Sequence, residues 1–222
     1  TDTDSGFDLA LSWKPSPARL AQLALLGARL GIARISHKTE VLVEHAAPEV
    51  AFPNARLKLP PGAFLQPTRE GEALLQEQVL AVLARARNIA DLFAGCGTFS
   101  LPLARRARVH AVEKDAPMLG ALARAARETP GLKPVTIEKR DLFRHPLTPK
   151  ELSRFDAVLL DTPRAGACAQ AGALASSSIR RIVYVSCDGA SFARDAHILT
   201  EAGFVLGPVT PIDQFLWSGQ DR

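Results

Sequence analysis

The period of apolar and polar positions changes near residue 68. Before it, short apolar runs at 7–11, 32–35, 41–43 and 56–59 predict strands separated by turn residues. Between the first two, Leu20, Leu23, Leu26 and Leu30 recur at helical spacing and predict a helix over 18–30, entered through Pro15 and Pro17. Pro60, Pro61 and Gly62 then break the pattern. The whole reads as a small α+β segment over 1–67. Beyond it, Leu75, Val79, Val82, Leu83 and Ala86 mark one face of a helix ending near Arg87. Six apolar runs follow, at 89–93, 109–112, 135–137, 157–160, 182–185 and 204–206, alternating with helical stretches. That alternation predicts a mostly parallel sheet with helices on both faces, a doubly wound α/β domain over 68–222.

Composition narrows the class. A chain of 222 residues with 47% hydrophobic and 23% charged side chains suits one large domain, or a medium one with an appended piece. No run reaches the roughly 18 apolar residues of a membrane span, and no basic-then-apolar leader opens the chain. Cys96, Cys168 and Cys187 are too scattered for a disulfide framework, and no His/Cys grouping has metal-ligand spacing, so a reducing cytoplasm and no metal are expected. The net charge of +4 is mild; 20 of the 27 basic residues are arginine, which suits phosphate but equally reflects codon usage. Thr1 comes first and the sole methionine is Met118, so the chain reads as a fragment or as one whose natural start lies upstream.

Candidate chemistry lies in the loops after strands, where open α/β sheets bind ligands. The first runs from Asp91 through Gly95, Gly97 and Thr98 to Ser100. Two glycines one residue apart allow a tight turn and close backbone approach to a ligand. A dinucleotide fingerprint wants glycine or alanine where Ser100 stands, and a leading acid is unusual for pyrophosphate. Glu113 ends the next strand, 22 residues after Asp91, where a carboxylate can accept ribose hydroxyls or simply stay solvated. Asp141, after the third strand, can meet an adenine amine or cap a short turn. After the fourth, Asp161 and Arg164 place a carboxylate and a guanidinium at the cleft, or form an ion-paired loop. Cys187 stands at the tip of the fifth strand, just before a helix N-terminus whose partial positive charge favours a thiolate. Cys96 and Cys168 read as buried structural cysteines.

Together DLFAGCGTFSLPLA, VEK, DTPRAG, VSCDGASFARD and FLQPTREGE resemble the bacterial RNA uracil-5-methyltransferases, in order and spacing across residues 64–215. The segment before them resembles that family's central domain. The resemblance implies a Rossmann-like class I methyltransferase fold and S-adenosylmethionine as cofactor. It implies a cofactor site lined by Gln66, Phe93, Gly95, Gly97, Thr98, Glu113, Asp141 and Asp161, with Cys187 as the nucleophile. It also implies 5-methyluridine in tRNA or rRNA as the product; a monomer is expected, with Arg164 and Arg194 either phosphate contacts or members of surface ion pairs.

The departures from the family pattern are Thr68 for asparagine, Thr162 for proline, and Asp188-Gly189 after the cysteine where Asn-Pro or Asp-Pro is usual. Arg222, next to Asp221, falls where the family's base glutamate is expected. An impaired or inactive relative that keeps only the cofactor pocket is therefore the alternative expectation. A cytosine-5 RNA enzyme would place a second cysteine where Arg164 stands, and amine methylation would not need Cys187. Ser100 and the lack of a Tyr/Lys or His catalytic pair in the later loops disfavour a nicotinamide oxidoreductase.

Overall fold

A computed structural model describes residues 1–52 and 55–214. The first part holds β1 (Asp2–Thr3), β2 (Gly6–Leu11), α1 (Pro17–Arg29), β3 (Ile32–His37), β4 (Glu40–Glu44), β5 (Glu49–Phe52) and β6 (Ala55–Lys58). The first four strands form a sheet in chain order, and β5 and β6 make a separate antiparallel pair. β2 and β3 run parallel, so α1 must cross over between them. Pro17 opens α1, its fixed φ suiting a first turn, and Gly31 at φ +69° turns the chain back into β3.

Asp8 and Arg34 stand opposite each other in that parallel pair. Arg34 donates from Nε and Nη2 to the Asp8 carboxylate at 3.0 and 2.6 Å, and from Nη1 to the Leu59 carbonyl at 2.8 Å. The two side chains are 4% and 8% exposed. Removing one partner of such a pair leaves a buried charge uncompensated. Asp8→Ala is therefore expected to destabilise the fold by about 3–5 kcal/mol, read as a lower urea midpoint.

The second part comprises α2 (Arg69–Val82), β7 (Asn88–Leu92), α3 (Ser100–Leu103), β8 (Arg108–Glu113), α4 (Ala116–Glu128), β9 (Val135–Lys139), α5 (Pro149–Leu152), β10 (Ala157–Thr162), α6 (Cys168–Ala175), β11 (Ile182–Ser186) and α7 (Gly189–Glu201). Thr68 caps α2 by accepting the Gly71 amide at 3.0 Å. The five strands are all parallel, in the order β11-β10-β7-β8-β9. On one face, Val79 of α2 with Leu83 just after it, and Leu103 of α3 with Phe99 just before that helix, pack onto Ile89, Val109 and Leu159, while α4 packs Leu122 and Ala125 onto Ala111. On the other, α5, α6 and α7 bring Leu152, Leu174 and Leu199 to Ala90, Leu92, Val158 and Leu160. This is the expected doubly wound, Rossmann-like α/β sheet. No described helix is long and apolar enough to cross a membrane.

Three readings of the sequence are corrected. The helix expected to reach Arg87 ends at Val82; Leu83 and Ala86 are buried in the turn that follows, so the apolar rhythm outlasts the helix. The run at 204–206 is not a strand: it pairs with nothing in the described sheets, and Val205 is 94% exposed. β1 and β5 went unpredicted, because neither short strand carries a clear alternation.

Candidate active site

The chain builds outward from β7, first to β8 and β9 on one side, then to β10 and β11 on the other. The switch point between β7 and β10 opens a crevice at their carboxyl ends. The strand ends carrying Asp91 and Asp161, and the loops after them carrying Gly95, Gly97 and Arg164, border it.

In the first loop the backbone turns left-handed three times, at Phe93 (φ +63°), Gly95 (φ +53°) and Gly97 (φ +97°). A Cβ on Gly97 would lie 2.4 Å from Leu122 Cδ1 of α4, so both the torsion and the space demand glycine. Phe93 is not a glycine, and this conformation is unusual for a bulky residue. Its ring is held against Phe143, centroids 5.5 Å apart, and Lys114 Nζ lies 5.9 Å from the Phe143 ring centre. The Thr98 carbonyl accepts Gln76 Nε2 of α2 at 2.9 Å. Glu113 reaches back into the loop: its carboxylate accepts the Gly95 amide at 3.2 Å and the Lys114 and Asp115 amides at 2.7 and 3.0 Å.

The leading acid, Asp91, is fully buried. Ser100 Oγ donates to Asp91 Oδ2 at 2.6 Å, which gives a physical reason for a hydroxyl where a dinucleotide fold wants glycine. Asp91 Oδ1 is buried without a hydrogen-bond partner. Burial, with Glu113 nearby, lifts the Asp91 carboxyl to about 7. Asp161 stands two residues beyond Leu159, which pairs with Asp91, so alternation puts both acids on the same face of the sheet. Burial, then Asp91 and Glu72, lift Asp161 to about 7 as well.

The other expected residues are placed as follows. Gln66 lies half-buried before α2, and its Oε1 accepts Gln214 Nε2 at 3.2 Å. Asp141 accepts the Phe143 amide at 3.0 Å, the turn-capping role left open beside the adenine contact. Cys187 is exposed between β11 and α7. Ser186 Oγ brackets it, accepting the Asp188 amide at 3.1 Å and donating to the Asp188 carbonyl at 2.9 Å. Asp188 caps α7 through the Ser191 amide at 2.8 Å, a contact that holds its carboxyl below the usual range. Asp188 is thus the helix cap, and the departure is confined to Gly189, which opens α7 where the family has proline. Arg164 is exposed in the loop after β10, and its charge acts on Asp188 in the neighbouring loop after β11.

Arg194, a candidate phosphate contact, is already engaged: Nε donates to Asp195 Oδ1 at 2.8 Å and Nη2 to the Ala165 carbonyl at 2.9 Å. Cys96 is buried, and burial raises its thiol to about 12. Cys168 is exposed at the start of α6, because that helix turns Gln170, Ala171 and Leu174 inward instead. Arg222 and Asp221 lie outside the described residues.

Sequence reasoning left Glu72, Phe143, Tyr184, Asp195 and Gln214 unassigned. Only Asp195, a charged residue on a helix otherwise turned inward by Ser191 and Leu199, carried a local signal.

No protein-family model matches the chain. It is 52% identical over 220 residues to an RNA methyltransferase, R00878, of Rhizobium meliloti (strain 1021), covering 98% of this chain and 53% of that protein. It is 33% identical over 215 residues to the 23S rRNA (uracil(1939)-C(5))-methyltransferase RlmD of Aeromonas hydrophila, covering 93% of this chain and 48% of that protein. The chain thus spans about half the length of the curated relatives it matches. Among solved structures, it resembles the Pyrococcus abyssi tRNA (uracil-54, C5)-methyltransferase in complex with S-adenosyl-L-homocysteine. That match has a TM-score of 0.62 and 22% identity, over 75% of this chain and 43% of that one, and it supports the fold.

Proposed function

We propose that this chain, homologous over 98% of its length to RNA methyltransferases, carries the methyl-transfer half of an RNA uracil-5-methyltransferase that uses S-adenosylmethionine. The observation that carries the reading is Cys187, exposed at the carboxyl end of β11 and held between a Ser186-stapled turn and a capped helix. Residues 68–222 are the catalytic unit in this reading and 1–67 an accessory segment.

Uracil C5 is too weak a nucleophile to attack a methyl group unaided. The Cys187 thiolate adds to C6, forming a carbon–sulfur bond and pushing the ring electrons to C5. S-adenosylmethionine supplies the electrophilic methyl that C5 takes. A base then removes the C5 proton, the ring double bond returns and the carbon–sulfur bond breaks, freeing the thiolate. No described residue is assigned as that base.

The chain's own groups fit the cofactor. Gly95 and Gly97 let the backbone approach it closely, Glu113 lies at the ribose position after β8, and Gln66, Phe93, Thr98, Asp141 and Asp161 complete the lining. The unpartnered Asp91 Oδ1 supports a ligand that brings a donor or a cation. Arg164 is the candidate phosphate contact for a tRNA or rRNA, while Arg194 holds the Asp161 loop from behind.

RNA containing 5-fluorouridine tests the reading. Fluorine at C5 blocks the elimination, so incubation with the chain and S-adenosylmethionine should leave a covalent protein–RNA adduct carrying one added methyl, seen by intact mass. No adduct, with cofactor binding intact, would make the chain a cofactor-binding relative without this chemistry.

A further inference from the structure

The carboxyl groups behind the glycine loop do more than line the proposed cofactor site. Asp91 on β7, Asp161 on β10 and Glu113 on β8 lie on one face at the carboxyl ends of three adjacent strands. Helix α2, packed on that same face through Val79, adds Glu72, which acts on Asp161.

The groups facing these acids do not neutralise them. Ser100 of α3 gives Asp91 its hydroxyl, and the Ser100 backbone amide acts on Asp91 as well. Gln76 gives Glu72 another at 3.1 Å. Arg69, the cation that acts on Glu72, is paired with Asp4 at 2.6 Å. Glu113 is met by the backbone amides of Gly95, Lys114 and Asp115. Asp91 Oδ1 is left buried with no partner, which marks the cluster as more than a solvated acidic patch.

Resting on the proposed function, we infer that the Glu72–Asp91–Asp161 cluster is a charge-matched seat for the sulfonium methyl donor, which expels a proton from the cluster as it binds and is thereby distinguished from its demethylated by-product. S-adenosylmethionine carries one more positive charge than S-adenosylhomocysteine, which lacks the sulfonium. In the free protein burial favours the neutral acids, and Asp91 and Asp161 each hold a proton up to about pH 7. A bound cation favours the ionised form, so the proton passes to solvent. Below pH 7 that proton must be displaced for the donor to bind, and affinity falls; above it the cluster is already charged and affinity levels off. Methyl transfer removes the sulfonium charge, so the by-product loses this attraction and is released.

Isothermal titration calorimetry of the whole chain, from pH 5.5 to 8.5 and in two buffers of different ionisation enthalpy, reads both parts. The Kd of S-adenosylmethionine should rise about tenfold per unit as pH falls below 7, with close to one proton released per molecule bound. For S-adenosylhomocysteine the slope should be less than half of that. Asp91→Asn, nearly isosteric and still able to take the Ser100 hydroxyl, should flatten the donor's slope. Glu72→Gln, on the less buried helix side, should flatten it in part and serves if Asp91→Asn does not fold. Equal slopes for the two molecules, or a flat donor profile, would overturn the inference while leaving the proposed function standing. If neither molecule binds at any pH, the proposed function falls and this inference with it.

Discussion

Cys187→Ala is expected to lower methyl transfer to uracil by roughly 10⁴-fold or more, and to abolish the 5-fluorouridine adduct, while the Kd for S-adenosylmethionine stays within about twofold. The size follows from the chemistry: without sulfur at C6 there is no enolate-like ring, and C5 does not reach the methyl. The selectivity follows from the fold. Cys187 stands after β11, on the far side of β10 from the glycine loop and Glu113, so its loss leaves the proposed cofactor lining untouched. Cys168→Ala is the control, since that thiol is also exposed but opens α6. Single-turnover methylation and intact mass read the first effect, and calorimetry the second. Methyl transfer or adduct retained in Cys187→Ala, or lost in Cys168→Ala, would remove Cys187 from the nucleophile's role.

Asp195→Ala should destabilise the chain by about 2–5 kcal/mol, because it leaves the buried Ala167 amide and the half-buried Tyr184 hydroxyl without their acceptor. Asp195 is fully buried on α7. Its carboxylate accepts the Ala167 amide at 2.5 Å, the Tyr184 hydroxyl at 2.6 Å and Arg194 Nε at 2.8 Å. Burial and the hydrogen bond to Asp195 both raise the Tyr184 phenol above its ordinary value. Gly166, at φ +71°, sits so close that a Cβ there would lie 2.6 Å from Asp195 Oδ2. The melting temperature should fall by roughly 10 °C. Tyr184→Phe, which deletes one hydrogen bond and leaves the others, should cost only about 1 kcal/mol. Because Asp195 ties the Asp161–Gly166 loop to the helix that follows Cys187, the loops after β10 and β11 should loosen together. A melting temperature unchanged in Asp195→Ala would show that these contacts do not hold the loop.

The doubly wound sheet was legible because five apolar runs at regular spacing, each followed by a helical stretch, leave few other ways to bury them. The sixth run failed because apolar content alone does not supply a pairing edge, and residues 204–206 find none among the described strands. Cys187 and the glycine loop were legible from local position alone: a residue between a strand tip and a helix start is placed by its neighbours in sequence. For Arg194 the sequence left a phosphate contact and a surface ion pair both open, for the opposite reason. Its charge read as available, and only the fold shows Asp195 and the Ala165 carbonyl already holding it.

By itself, then, the sequence determined the order of strands and loops, the tight turn at Gly95 and Gly97, and the place of Cys187 between a strand tip and a helix start, since each depends on residues within a few positions of one another. Tertiary structure alone decided that Glu72 of α2 would join Asp91 and Asp161, and that Asp8 would meet Arg34. It also decided that Asp195 would bind the Asp161 loop. Those groups are far apart along the chain, and only the parallel register and the packing of α2 and α7 on opposite faces bring them together. Their charges interact strongly because burial removes the water that would otherwise screen them.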